Sequence, residues 1–203
     1  MVSSTALDPA ALRSPGRPRS AEAEQAILKA ALELLADCGI NGLTVEGVAA
    51  RAGVGKATIY RRYPTKADLV LGALSMLNDE IRPLTCRSVR DDLVTLVDAQ
   101  RKRASSTLAG QILPRLIGDA PDNPEIMERY RNRTIQPRRN LMLGVLQRGV
   151  EEGIIRPDID PEDVCDMLVG PILNRILKCG AAGVGGKDYA ALVVDTVLRG
   201  IAP

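Results

Sequence analysis

Residues 44–63, which read TVEGVAARAGVGKATIYRRY, restrict the fold of this 203-residue chain more than any other segment. Their spacing predicts two short helices joined by a tight turn. Ala49 leaves room for the second helix to cross close above the first, Gly53 takes the positive φ of the turn without a Cβ penalty, and Ile59 anchors the second helix in the core. The segment therefore predicts a helix-turn-helix, although a plain helical hairpin on a solvated surface has similar spacing.

The second helix and its flanks carry the side chains that we expect to contact DNA if the motif is a helix-turn-helix. The groups expected at phosphates, which position a protein without reading sequence, are Thr44 at its helix N-terminus, Tyr60, Thr65 and Lys66. The groups placed for base edges are Lys56, Ala57, Thr58 and Arg61, with Arg61 or Lys56 expected at guanine. Periodicity leaves open which of Arg61 and Arg62 faces a base, because adjacent helical residues diverge by about 100°.

The sequence after this motif resembles that of a known family. Residues 60–70, YRRYPTKADLV, resemble the signature that closes the DNA-binding domain of TetR-family regulators: a tyrosine, two variable residues, an aromatic, a short turn and a lysine that opens the next helix. Together with an upstream helix ending at Gly39, the resemblance covers about the first third of the chain. The family often has histidine and phenylalanine where this chain has Arg62 and Tyr63. Tyr63 keeps a ring for packing, and Arg62 favours a phosphate contact.

The resemblance implies an all-α fold with an N-terminal three-helix helix-turn-helix domain and a C-terminal helical domain for effector binding and dimerisation. We expect a flexible basic arm over residues 1–19, the DNA-binding domain over residues 20–66 and the C-terminal domain over residues 67–203. The implied function is that of a transcriptional regulator, most simply a repressor. It would bind a palindromic double-stranded DNA operator as a homodimer and be released by a small ligand.

The N-terminal arm contains a second pattern associated with DNA. Residues 16–19, Gly-Arg-Pro-Arg, resemble the minor-groove core of AT-hook peptides. Arg17 and Arg19 are therefore candidate contacts in a narrow A·T minor groove. A solubilising tail with incidental arginines explains the same residues equally well.

Apolar periodicity, N-cap residues and prolines predict helices along the rest of the chain. Ser20 is expected to cap the first helix, and Pro137 should kink or split the helix that contains it. The expected helices cover residues 20–39, residue 44 to the turn at 53–55, residues 56–63, 65–81, 89–105, a shorter stretch around 108–117, and residues 123–153, 161–179 and 189–198.

The helix over residues 161–179 is apolar nearly all round, so it must bury two faces. One face can pack on its own core and the other needs a partner. Two C-terminal helices from each subunit would form the four-helix dimer interface that the resemblance implies. The residues expected in this interface are Val164, Leu168, Ile172, Ile176, Val193 and Val197.

The chain contains no Phe, Trp or His, so a ligand cavity would be lined by aliphatic and methionine side chains. We therefore expect an apolar or amphipathic effector, held by shape rather than by aromatic stacking. Each candidate residue is also compatible with an ordinary core or a solvated surface. The candidate ligand contacts are Gln111, Met127, Tyr130, Met142, Met167, Asn174 and Arg175.

Composition also argues against several other classes of function. Without histidine, and with four cysteines in no CxxC pair, the chain offers no metal site, and we expect no cofactor and no enzymatic activity. We expect reduced, buried thiols and, because no apolar run reaches membrane-spanning length, a cytoplasmic protein with no membrane partner. Two alternatives stay open: an effector-independent DNA-binding protein, and a helical small-molecule-binding protein or enzyme.

Overall fold

A computed structural model describes residues 18–78, 84, 87–186 and 188–203, and over these residues the chain is helical with no β-strand. The predicted all-α fold is confirmed. Two short 3₁₀ turns (Ala120–Asp122 and Ala181–Val184) and a π-helical turn (Arg131–Ile135) interrupt the α-helices. The α-helices are α1 (Pro18–Gly42), α2 (Val45–Ala52), α3 (Lys56–Tyr60), α4 (Lys66–Ser75), α5 (Val89–Ser105), α6 (Thr107–Asp119), α7 (Pro124–Tyr130), α8 (Gln136–Glu151), α9 (Pro161–Cys179) and α10 (Asp188–Ile201).

The first hydrophobic core joins α1–α4 to α6 and α7. Its buried side chains include Ile27 and Leu35 of α1, Ile59 of α3 and Leu69 of α4. Ile112 and Leu116 of α6 and Ile126 of α7 belong to the same core. The core therefore continues across the domain boundary expected at residue 66, and α6 and α7 pack on the N-terminal helices.

The second core lies between α5, α8, α9 and α10. Leu93 of α5, Leu146 of α8, Leu168 of α9 and Val194 of α10 are almost completely buried in it. The last helix is strongly amphipathic in its sequence pattern, so it covers one side of this core. The two cores meet along α5, α6 and α9, which contact one another.

The first helix begins earlier than its sequence suggests. α1 starts at Pro18, so the expectation that Ser20 caps it is wrong, and Arg19 lies in its first turn. Proline suits the first turn of a helix because an amide proton there has no partner in the helix. Residues 1–17, which include most of the expected arm and Arg17, lie outside the described residues. Gly39 interrupts the helix with φ 70° and ψ −170°.

The third helix is shorter than expected. It ends at Tyr60 and not at Tyr63, and the backbone amides of Arg62 and Tyr63 both donate to the carbonyl of Ile59 in a closing turn. Tyr63 precedes Pro64, and a residue before proline disfavours the helical region. Arg61 and Arg62 therefore follow the recognition helix rather than extending it. The fourth helix ends at Ser75, and residues 76–78 after it are not helical, so the expectation that it continues to about residue 81 is wrong.

Pro137 divides the long helix that was expected over residues 123–153. α7 ends at Tyr130, a π-helical turn covers residues 131–135, and α8 begins at Gln136. The amide of Gln136 donates to the carbonyl of Arg131, which is the wider spacing of a π-turn. Pro137 has no amide proton to continue the regular ladder, so the predicted interruption is confirmed and takes the form of a π-turn.

Candidate DNA interface and ligand cavity

The helix-turn-helix geometry rests on three positions. Gly53 ends α2 in the left-handed region (φ 66°, ψ 33°), and its amide donates to the carbonyl of Ala49. Ile59 is completely buried, and Val48 beside it is also buried. Thr44 caps α2, because its hydroxyl accepts a hydrogen bond of 3.1 Å from the amide of Gly47. These contacts fix α3 across α2, so the N-terminal end of α3 is left on the surface.

The exposed N-terminal end of α3 carries an ion pair. Lys56 Nζ lies 2.6 Å from Glu46 Oε1, and both side chains are more than half exposed. Their hydrogen bond lowers the pKa of Glu46 and raises the pKa of Lys56, so both groups are charged at neutral pH. Ala57 and Tyr60 are also exposed and Thr58 is half-buried. A base contact by Lys56 would have to replace its contact with Glu46.

The turn after α3 and the start of α4 form the second part of this surface. Arg61 is exposed, Arg62 and Lys66 are half-buried, and Thr65 caps α4. The Thr65 hydroxyl accepts from the amide of Asp68 at 3.1 Å and donates to Asp68 Oδ2 at 2.7 Å. The predicted capping box is therefore confirmed. In it, the Thr65 hydroxyl both donates to and accepts from Asp68.

Tyr63 packs this surface onto the first core. A Cβ added at Gly72 would lie only 2.8 Å from its ring, so the ring requires glycine on α4. The hydroxyl donates to Glu24 Oε1 at 3.2 Å. Burial, followed by the charge of Glu24, raises the pKa of Tyr63 to about 12. The tyrosine that stands where the family often has phenylalanine thus packs its ring and satisfies its hydroxyl on α1.

A carboxylate at the end of α6 holds the last turn of α1. Asp119 Oδ2 accepts hydrogen bonds from the backbone amides of Ile40 at 2.6 Å and Asn41 at 3.3 Å. The side chain of Asn41 also donates to Asp119 Oδ1 at 3.2 Å. A Cβ on Gly39 would lie 2.2 Å from Asp119 Oδ2, so only glycine permits this approach. We call Gly39, Ile40, Asn41 and Asp119 the α1–α6 joint.

A second polar contact links α7 to the start of α4. Arg129 donates to Asp68 Oδ1 at 2.6 Å, while Asp68 Oδ2 holds Thr65. The hydrogen bond from Arg129, and then that from Thr65, lowers the pKa of Asp68. Both side chains of the ion pair are about 30% exposed, so its contribution to stability is modest. We call Asp68, Arg129 and Thr65 the α4–α7 joint.

A cavity of about 380 Å³ lies where the two cores meet. Its wall on the side of the first core includes Ile112, Leu116 and Met127, and its wall on the side of the second core includes Leu96 and Ile172. Most of the other lining side chains are also apolar. The polar side chains in the lining are Asn78, Gln100, Arg103, Tyr130, Arg138, Arg139 and Asp166.

One group of polar side chains lies around Tyr130. Burial raises the pKa of the Tyr130 phenol, and the nearby positive charges of Arg103 and Arg138 oppose this rise. Arg138 donates to Asn78 Oδ1 at 3.2 Å, and Arg103 donates to Gln100 Oε1. Within the described part of the chain, the Tyr130 hydroxyl forms no hydrogen bond. We call Arg103, Tyr130 and Arg138, with their amide neighbours, the polar end of the cavity.

The third arginine of the cavity wall, Arg139, is paired with carboxylates. Arg139 donates to Asp166 Oδ1 at 2.6 Å and also to the Glu162 carboxylate. These two carboxylates raise the pKa of Arg139. Cys165 lies beside this group, and burial raises the pKa of its thiol to about 11. The charge of Arg139 is therefore paired with two carboxylates, and the Cys165 thiol beside them is protonated at neutral pH.

The structure brings only some of the predicted ligand contacts together. Met127, Tyr130 and Met142 line the cavity. Gln111 instead faces a shallow hollow on the surface between α1 and α6. The other three lie away from the lining: Met167 and Asn174 are exposed, and the guanidinium of Arg175 stacks 4.1 Å from the centroid of the Tyr189 ring.

Sequence reasoning missed Arg103 as a cavity residue. It belongs to a run of three basic residues, 101–103, at the end of α5. The signal was available, because Arg103 stands seven residues after Leu96 and so returns to nearly the same helical face. The three basic residues look alike in the sequence, although their surroundings differ. Arg101, for example, is buried in an ion pair with Asp98.

The residues predicted to form the dimer interface require a correction. Val164, Leu168, Ile172, Ile176 and Val193 are 0–7% exposed within the single chain, because they fill the second core. Val197 is partly buried against the same core. Periodicity identified a buried face of α9 but could not tell the chain's own core from a partner. The outer face of the two C-terminal helices instead exposes Met167, Leu177 and Leu192.

The thiols also differ from expectation. Cys165 is buried, but Cys38 and Cys179 are exposed, and Cys86 lies outside the described residues.

Among the described residues, no group of His, Cys, Asp or Glu side chains could hold a metal ion. None of the described helices is both long and apolar enough to cross a membrane.

An exposed recognition helix on the first helical core, together with a cavity where that core meets a second helical core, defines a DNA-binding transcription regulator of the helix-turn-helix class. Residues 27–73 match the family model described as bacterial regulatory proteins, tetR family. Residues 87–197 match the model described as tetracyclin repressor-like, C-terminal domain. The chain belongs to the TetR family of transcriptional regulators.

Several relatives resemble the chain over most of its length. The uncharacterized HTH-type transcriptional regulator YdeS of Bacillus subtilis (strain 168) is 36% identical over 167 residues, which cover 81% of this chain and 83% of the relative. The DNA-binding transcriptional repressor TetR of Mycobacteroides abscessus is 28% identical and covers 90% of this chain and 93% of the relative. The solved structure of the TetR family transcription regulator SCO0332 is 32% identical, with a TM-score of 0.62, and covers 90% of this chain and 100% of that chain.

Proposed function

We propose that the protein is a homodimeric repressor that binds a palindromic DNA operator through α3 and is released when a small molecule enters the cavity. The observation that carries this proposal is the position of the cavity. Its walls belong to both cores, and one of these cores also holds the recognition helix. A ligand at this position can favour one arrangement of the two cores over another.

The proposed DNA contacts follow the exposed surface of the motif. Lys56, Ala57 and Thr58 at the start of α3 and Arg61 in the turn after it are assigned to base edges. One phosphate contact is assigned to the backbone amides at the N-terminus of α2, the helix that Thr44 caps. A second is assigned to the N-terminus of α4, the helix that Thr65 caps. The remaining phosphate contacts are assigned to Tyr60, Arg62 and Lys66.

The dimer in this proposal uses the outer face of α9 and α10. Met167 and Leu192 are 54% and 61% exposed, and Leu177 is half exposed on the same helix as Met167. Large apolar side chains at such exposure, on two helices that contact each other, suit a four-helix contact with a second copy. A two-fold axis between these helices would present two recognition helices to DNA half-sites about one helical turn apart.

The proposed effector is apolar or amphipathic, because aliphatic and methionine side chains dominate the cavity lining. Release requires the ligand to bind the DNA-incompatible arrangement more tightly than the DNA-bound one. The α1–α6 joint and the α4–α7 joint both connect the cavity wall to the DNA-binding helices, so each can couple ligand binding to the position of those helices. The α1–α6 joint connects a cavity wall to α1, and the α4–α7 joint connects another wall to the start of α4.

The experiment selects DNA from a random pool with the full chain and then footprints the selected sequence. We expect an inverted repeat protected over two successive major grooves. Enrichment of no sequence above non-specific binding would contradict the proposal. The repressor assignment is supported by the name of the Mycobacteroides abscessus relative. A reporter driven from the selected site distinguishes repression from activation.

Two other functions compete with this proposal. An effector-independent DNA-binding protein needs no cavity, whereas this chain maintains one of about 380 Å³ with polar groups in its wall. An enzyme would need a reactive group in the cavity. The thiol there, Cys165, has a raised pKa and is therefore a poor nucleophile at neutral pH. The arrangement favours binding and release over catalysis.

A further inference from the structure

Tyr130 differs from the other polar side chains of the cavity lining. Its hydroxyl forms no hydrogen bond within the part of the chain that the structure describes. The other polar side chains are engaged: Asn78 and Gln100 accept from arginines, and Asp166 is paired with Arg139. The Tyr130 hydroxyl is therefore a group that a ligand can bind without displacing a hydrogen bond inside the chain.

The arginines beside the phenol already have partners. Arg138 donates to the backbone carbonyl of Thr134 at 2.8 Å and to Asn78 at 3.2 Å. Arg103 donates to Gln100, and both arginines take part in further interactions within the chain. A charged head group would have to compete with these partners, whereas an uncharged group bound to the Tyr130 hydroxyl leaves them in place.

The phenol is held in position at the end of α7. Its ring packs against the first core, and its neighbour in the chain, Arg129, is anchored to Asp68 on α4. Burial raises the pKa of the phenol, so the hydroxyl is protonated and can donate a hydrogen bond at neutral pH. The cavity therefore offers a ligand a preoriented donor, which lowers the cost of ordering on binding.

An oxygen that only accepts hydrogen bonds suits these surroundings. Guanidinium groups donate and never accept, so Arg103 and Arg138 add donors around the phenol and no acceptor. An alcohol would bring a donor of its own to this end of the cavity, whereas a carbonyl oxygen brings none. Away from the polar end, the wall is aliphatic, with side chains such as Ile112, Leu116 and Ile176.

We propose that the cavity binds an uncharged aliphatic molecule whose carbonyl oxygen accepts a hydrogen bond from the Tyr130 hydroxyl. This inference rests on the proposed function, in which the molecule is the effector. The cavity volume of about 380 Å³ is near the lower end of the roughly 300–1,000 Å³ found for small-molecule sites. A ketone with one alkyl chain of medium length fits this space, and we take methyl octyl ketone as the probe.

Matched ligands test the polar group. Methyl octyl ketone, methyl octyl sulfide, decanoate and decylamine have alkyl tails of similar length, and displacement of the fluorescent apolar probe N-phenylnaphthylamine measures their affinities. We expect the ketone to bind roughly two- to tenfold more tightly than the sulfide, because a thioether sulfur is a weak acceptor. Decanoate and decylamine should both bind more weakly than the ketone. Equal affinity for ketone and sulfide, or preference for a charged ligand, overturns the inference.

Tyr130→Phe removes the hydroxyl and keeps the ring. Ketone affinity should fall to that of the sulfide, while sulfide affinity stays unchanged. Tyr189→Phe is the matched control, because it removes a hydroxyl from a ring that stacks on Arg175 outside the cavity lining, and it should keep the ketone preference. A folded Tyr130→Phe variant that still prefers the ketone contradicts the assignment. If that variant unfolds, the comparison of ketone with sulfide on the wild-type chain still decides.

The vibration of the bound ketone locates the hydrogen bond. A hydrogen bond to the oxygen lowers the frequency of the carbonyl stretch, and infrared difference spectra between ordinary and isotope-labelled ketone isolate that band from the protein amides. The frequency should be lower in the wild-type and Tyr189→Phe complexes than in the Tyr130→Phe complex. Equal frequencies in the wild-type and Tyr130→Phe complexes would show that another group, or none, binds the oxygen.

DNA binding by the ligand-free chain is measured in parallel, which keeps the two proposals separate. Sequence-selective DNA binding with no preference for the ketone overturns this inference and leaves the regulator proposal standing. A ketone preference that depends on Tyr130, without any effect on the DNA complex, supports the assignment of Tyr130 and contradicts ligand release. Loss of sequence-selective DNA binding in all conditions contradicts the proposed function itself.

Discussion

Lys56 begins α3 with its side chain held by a carboxylate on α2. The Glu46 contact is 2.6 Å, and both side chains are well exposed, so water and salt weaken the pair. In the free protein the contact holds the Lys56 ammonium at the Glu46 carboxylate. In a DNA complex Glu46 would be a negative charge beside phosphates, so the same residue opposes binding.

Replacing Glu46 with Gln should therefore tighten DNA binding. The change releases Lys56 and removes a charge that repels the DNA backbone. The gain should be largest at low salt, where charges are least screened. Fluorescence anisotropy on the selected operator at two salt concentrations measures it. Glu128→Gln removes the same charge from an exposed position on α7 and serves as the control. Weaker binding by the Glu46 variant would show that the pair orients Lys56 for its DNA contact, and unchanged binding would show that Glu46 has no net effect on the DNA complex.

Arg61 and Lys66 should behave differently from each other. Arg61→Ala should cost about 1–3 kcal/mol of binding and relax specificity at one position in each half-site, because a guanine contact is lost. Lys66→Ala should weaken all sequences alike and reduce the magnitude of the salt slope by about one, because a phosphate contact is lost. Binding titrations against operator variants separate these patterns. Wild-type behaviour in both variants means that another surface contacts the DNA.

The residues of the motif could be predicted because their chemistry is local. Ala49, Gly53 and Ile59 have roles set by spacing within 20 residues, and the structure gives Gly53 its positive φ and buries Ile59. The Lys56–Glu46 pair could not be predicted, since it depends on how α3 crosses α2. Its two side chains are ten residues apart and belong to different helices.

At the scale of elements, caps and prolines located the helices well. The pair Thr65 and Asp68 forms its predicted capping box, and α5 and α9 have the expected bounds. Each error has a local cause. Pro64 ends α3 early through its effect on Tyr63, and Pro18 allows α1 to begin before Ser20. The α1–α6 joint had no sequence signal, because Gly39 and Asp119 are far apart in the chain.

The α1–α6 joint makes a prediction about stability. Gly39→Ala should lower the free energy of unfolding by roughly 1–3 kcal/mol, since φ 70° with ψ −170° is a region that only glycine adopts readily. The collision with Asp119 adds to this cost. Gly118→Ala on α6 is the control, because its Cβ would enter open space within a helix and should leave stability unchanged or higher. Urea unfolding measures both, and equal stability of the two variants would show that the joint can relax.

At the scale of the whole molecule, the cavity joins two cores that the sequence could not separate. Buried aliphatic residues of either core, and of the cavity wall, have the same composition and periodicity. Ile112 and Ile172 illustrate this, because each lines the cavity and each belongs to a different core. The same ambiguity placed the expected dimer contacts on the inner face of α9. Only the packing of α5 and α8 against that face reveals that it is already covered.

Assembly offers the test that separates the inner face of α9 from its outer face. Met167→Glu, or Leu192→Glu on α10, should yield a folded monomer, because each places a charge on a surface that is exposed in the single chain. Ile172→Glu should unfold or aggregate the chain, since that side chain is 1% exposed within the second core.

Sedimentation measures the mass of each variant in solution, and circular dichroism measures whether it is folded. A wild-type chain that sediments as a monomer at micromolar concentration contradicts the dimer. A Met167 variant and a Leu192 variant that both remain dimeric would place the two-fold contact elsewhere. A folded monomer from Ile172→Glu would restore the inner face as the interface.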